Sequence, residues 1–110
     1  MARDAGLEEM MRADLGDLPN LREQAMFGGL CFMMNGNMVA CIHKGTGLYR
    51  VGDAGMAQAL AVPGTTQAMM GQRVMKGYVY LDVDHLDDDD TRAALTGIAI
   101  DFVRGLDPKE

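Results

Sequence analysis

The stretch AMFGGLCFMMNGNMVACIHKG, residues 25–45, decides the fold. It is almost wholly apolar and holds both cysteines and one of the two histidines. At its centre stands Asn35-Gly36, the dipeptide that best supplies the two positive-φ residues of a tight hairpin turn. Leu30–Met34 and Asn37–His43 are strand-like on either side of it. A two-residue turn pairs Met34 with Asn37, Phe32 with Val39 and Leu30 with Cys41. Cys31 and Cys41 then point to opposite sides of the sheet and cannot bridge. A three-residue loop, Asn35-Gly36-Asn37, would set them face to face, but Asn-Gly favours the first register. The expectation is two small buried thiols serving as hydrophobes.

Outward from the hairpin, Gly47–Val51 reads as a third strand after the tight KGTG connection. GDAGMAQALAVPG reads as a short helix with Asp53 at its N-cap, ended by Pro63-Gly64. Thr66–Met70 and Tyr78–Val83 read as two more strands. The second alternates Val79, Leu81 and Val83 against Tyr78, Tyr80 and Asp82. On the N-terminal side, Leu7, Met10, Met11 and Leu15 give Ala5–Leu15 an apolar helical stripe, with Glu8, Glu9 and Arg12 on the surface. The last helix carries Leu95, Ile98, Ala99, Phe102 and Val103, and Gly105 stops it. The order α-β-β-β-α-β-β-α, with short turns between strands, predicts an α+β, two-layer fold: an antiparallel sheet of about five strands with helices on one face.

Composition sets the limits. A chain of 110 residues with 48% hydrophobic content supports one core and one domain, residues 1–110. No run is long and apolar enough for a membrane span, and MARDAGLEEMM lacks the layout of a secretion signal. A cytoplasmic protein with no membrane partner follows. The net charge of −6 and ten scattered Lys and Arg residues disfavour direct nucleic-acid binding. The 11 methionines are expected mostly in the core, although methionine also lines adaptable binding surfaces.

The reactive patterns resolve into structural ones. Cys41 and His43 share a strand face, but His85 is the only other histidine and no further cysteine completes a zinc set. DVDHLDDDD, from Asp82, lacks the glycine and terminal glutamate of an EF-hand loop. Its aspartates suit the start of a helix instead. Neither GGLCF nor GTGLYR leads from a strand into a helix, so neither is a phosphate cradle. Gly28 and Gly29 instead suit a tight bend or close backbone approach. The chain has no serine, which excludes a serine triad. No catalytic residue, metal or cofactor is expected, and the chain reads as non-enzymatic. The best functional hint is the second face of the sheet. Cys31, Met33, Met38 and Ala40 make it apolar, and Tyr78 and Tyr80 extend it if they share it. A protein partner or homodimer fits such a face. The alternative is a small-anion-binding protein or unrecognised enzyme, with Arg22, Arg50, Lys76 and Tyr49 converging in a cleft.

MFGGLCFMMNGNMVACI followed by GLYRVG resembles the N-terminal domain of the TfoX/Sxy competence-regulator family, and GQRVMKGYVYLDVD resembles a segment of its stand-alone, single-domain subgroup. The resemblance runs from about Arg22 to Arg104. It implies a fold like that of secretion chaperones and a regulatory or protein-interaction role linked to DNA uptake in members carrying a second, helical domain. It implies no catalytic residue. Its motif positions are Met26, Phe27, Gly28 and Gly29, with Arg50, Lys76 and Gly77 from the subgroup.

Overall fold

The computed structural model describes residues 5–16, 18–26, 29–43 and 45–107. The elements run α1 (Ala5–Leu15), β1 (Leu21–Met26), β2 (Gly29–Met34), β3 (Asn37–His43), β4 (Thr46–Arg50), α2 (Gly52–Leu60), β5 (Thr65–Met70), β6 (Arg73–Leu81) and α3 (Asp89–Arg104). Every strand pair is antiparallel, and the sheet order is β1-β2-β3-β4-β6-β5. This is the expected α+β architecture, with six strands in place of about five. The additional strand is β1. Its sequence, LREQAM, has no β-branched residue, and it lies at the sheet edge with its middle four residues exposed.

The hairpin keeps its Asn-Gly turn. Asn35 and Gly36 take φ of 53° and 82°, and Met34 pairs with Asn37. Two residues further on the expected register fails. A β-bulge lies between Phe32 and Met33, so Phe32 pairs with Ala40, Cys31 with Cys41 and Leu30 with Ile42. Val39 is the extra residue, and Val39 and Ala40 both join the core, 0% and 1% exposed. The bulge buries two consecutive residues that a regular ladder would send to opposite faces. It also shifts every later residue of β3 by one. Cys41 therefore faces Cys31 directly, against the expectation that the two thiols part.

All three helices pack on one face of the sheet. Leu30, Phe32, Tyr49, Val79 and Leu81 meet Met11, Leu15, Leu95, Ala99 and Val103 there. In α1, Leu15, Met11 and Glu8 share the inner stripe, so Glu8 is buried rather than on the surface as expected. Arg92 of α3 ties that helix to α1. It donates to Asp14 at 2.8 Å, to Asp89 at 2.8 Å and to the Leu86 carbonyl at 2.9 Å. Asp88 caps α3, accepting from the Asp90 amide and the Thr91 hydroxyl, so the aspartate run does start the helix. At α2 the expectation changes: Val51 is the N-cap, and Asp53 lies inside the first turn. Among the described residues no helix is long and apolar enough to cross a membrane.

Candidate functional site

Strand alternation assigns the open face. Paired positions share a face. Cys31 with Cys41, Met33 with Met38, Leu48 with Tyr80, and Arg50 with Tyr78 therefore lie on the side away from the helices. Met33, Met38, Leu48 and Tyr80 are each half-buried, and among the described residues no helix packs over them; Tyr78, also half-buried, lies at the corner where α2 and Phe102 of α3 approach. Tyr80 donates its hydroxyl to the Met69 carbonyl, which holds its ring along the sheet. Of the described methionines only Met11 and Met34 are buried. The expectation that most would fill the core does not hold, because Met33 and Met38 alternate onto the open face and Met69 and Met70 sit at the exposed β5–β6 turn.

The expected cationic residues separate. Tyr49 is fully buried under α3, on the helix side. Arg22 is exposed on the edge strand β1. Arg50, Lys76 and Gly77 come together, where β4 ends and α2 begins. With Gly52, Asp53, Ala54, Tyr78 and Phe102 they line a cleft of about 340 Å³. The Arg50 guanidinium lies 5.8 Å from the Tyr78 ring centre and 5.6 Å from that of Phe102, in cation–π range of both. Among the described residues no carboxylate is in ion-pair range of Arg50 or Lys76.

Backbone geometry makes this corner. Gly77 takes φ of 82°, and a Cβ on it would sit 3.2 Å from the Gly52 Cα. The two glycines let β6 pass against the start of α2, and the Val51 amide bonds the Gly77 carbonyl at 2.8 Å. Inside the bend, the Gln67 side-chain amide donates to the carbonyls of Met75 and Tyr78. No side chain caps α2, and its first residues, Gly52, Asp53 and Ala54, line the cleft, where a helix start carries partial positive charge. Sequence reading overlooked Phe102 and the uncapped helix. The second follows from misplacing the cap at Asp53.

The motif positions at the hairpin are structural where they are described. Gly29 must be glycine, because a Cβ there would collide with the Ile42 carbonyl. Met26 ends β1 half-buried. Phe27 and Gly28 lie outside the described residues. Cys31 and Cys41 are free thiols, buried and in contact, with Sγ atoms 2.8 Å apart. His43 follows on the same strand, but among the described residues no three potential metal ligands gather.

Residues 13–103 match the TfoX N-terminal domain family. The chain belongs to that family. Neither the curated proteins nor the solved structures contain a match. In this TfoX N-terminal domain, the matched region takes in the whole sheet, α2, all but the last residue of α3 and the end of α1.

Proposed function

We propose that this TfoX N-terminal domain is a non-enzymatic interaction module that acts on a protein partner through the open face of its sheet. One observation carries the reading: the helices take one face, and the other bears Met33, Met38, Leu48 and Tyr80 with no helix over them among the described residues. Methionine and tyrosine suit such a surface. The thioether adapts its shape, and the phenol supplies apolar area with a polar tip. A second copy of the chain is the first partner to test. Sedimentation equilibrium over a concentration series is expected to show association in the native chain, and a folded monomer for the Met33→Asp, Met38→Asp double variant. A native chain that stays monomeric, and retrieves no partner whose binding the double variant abolishes, overturns the reading.

The Arg50–Lys76 cleft favours a second reading, a site for a small anion at the start of α2. Two cations without a carboxylate partner among the described residues, and a helix start that no side chain caps, are its warrant. Titration calorimetry with inorganic phosphate, and separately with a small dicarboxylate, tests it. Binding that weakens at least tenfold in Lys76→Ala supports the site. No heat with either anion removes it.

A further inference from the structure

The bulge at Val39 places two thiols face to face, and no part of the proposed interaction role uses them. We propose that Cys31 and Cys41 are a reversible thiol–disulfide pair, a modification site oxidised by peroxide to a cross-strand disulfide between β2 and β3.

Three observations carry this. Cys31 and Cys41 are direct partners in the antiparallel ladder, the arrangement in which neighbouring Cβ atoms come within reach of a bridge. Their sulfurs are already in contact at 2.8 Å. They lie on the open face, where their ladder neighbours are the exposed Gln24 and the half-buried Leu48, and they stand apart from the cluster buried beneath the helices. The pair is also chemically unequal. The hydrogen bond shared with Cys41 eases ionisation of Cys31, though burial opposes it. That same bond, burial and the nearby charges of Cys31 and Glu8 hold the proton on Cys41. Cys31 is here the attacking sulfur and Cys41 the resolving one, and the step balances equally with the two exchanged.

The reaction balances. The Cys31 thiolate attacks one peroxide oxygen and breaks the O–O bond. Sulfur keeps that oxygen as a sulfenic acid, and the other leaves as hydroxide and takes up the first proton to become water. The Cys41 sulfur then attacks Cys31 Sγ. The S–S bond forms, the S–O bond breaks, and the departing hydroxide takes the Cys41 proton as a second water. Two electrons pass from the two thiols to the peroxide. Two equivalents of a small thiol reverse the change.

Trypsin has no cleavage site between Glu23 and Lys44, so both cysteines fall on one peptide, residues 23–44. The native chain is treated with hydrogen peroxide, unfolded in the presence of iodoacetamide, digested and weighed. The expected result is a peptide lacking two hydrogens and carrying no alkyl group, which gains two alkyl groups when reduced first. Oxidation of methionine adds whole oxygens and leaves the thiol count untouched. In Cys41→Ala, Cys31 is expected to stop at a sulfenic acid trapped by dimedone. Two alkylated cysteines after peroxide, separate oxidation of each to sulfonic acid, or disulfides only between chains would overturn the assignment. The native-chain measurement stands whether or not the variant folds.

Discussion

At the scale of single residues, His85 shows how a local pair behaves without any site around it. Its Nδ1 lies 2.7 Å from Asp82 Oδ1, three residues back. That hydrogen bond raises the His85 pKa above the ordinary 6.5; loss of solvent opposes it, and the charges of Asp82, Asp84 and Asp88 add to the rise. The same bond lowers Asp82. The signs give a window. The stabilisation linked to His85 is complete below 6.5 and is lost as pH rises through its raised value. That linked to Asp82 is present above 3.8 and is lost as pH falls through its lowered value. Their joint contribution is therefore greatest between those two ordinary values. A proton NMR titration is expected to show His85 titrating above 6.5, and Asp82→Asn to bring it back down. An unshifted His85 in the native chain would contradict the pair.

At the scale of elements, two glycines give opposite outcomes. Gly29 opens β2 against the Ile42 carbonyl, and a methyl group there has nowhere to go. Gly29→Ala is expected to destabilise the chain by about 3 kcal/mol, the upper range for overpacking. Gly97 lies within α3 with nothing near the position a Cβ would take. Gly97→Ala is expected to stabilise by about 0.5–1 kcal/mol, because alanine loses less backbone freedom in a helix. Urea denaturation of both variants checks the contrast, and equal effects would refute the close approach at Gly29. The hairpin belongs to this scale too. Its turn was legible because Asn-Gly has few alternatives, while its bulge was not. Nothing in NMVACIH marks Val39 as the extra residue. Only the space beneath the sheet, which takes Val39 and Ala40 together, creates it.

For the whole molecule, the association of α1 with α3 rests on a buried cation. The Arg92 side chain is 7% exposed and bonds Asp14, 78 positions away in sequence, as well as Asp89 and the Leu86 carbonyl. Arg92→Ala leaves a buried carbonyl and a carboxylate without their donor, and a loss of about 3 kcal/mol in chemical denaturation is expected. A loss under about 1 kcal/mol, the worth of an exposed pair, would show that the bridge contributes little. The open face is the other property of the whole. It exists because every described helix chooses the same side of the sheet, so that among the described residues the apolar strands are covered by helices once and not twice.

By itself, the sequence determined the class of fold, the Asn-Gly turn, the first and last helices and the apolar character of both sides of the hairpin. These follow from periodicity and from backbone preferences that act within a few residues. The gathering of Arg50, Lys76 and Gly77 beside an uncapped helix, the removal of Arg22 and Tyr49 from that corner, the edge strand LREQAM and the meeting of the two thiols were decided by tertiary structure alone. Each depends on which strands become neighbours and on one bulged residue, and those are settled by how side chains from distant segments fill a shared interior.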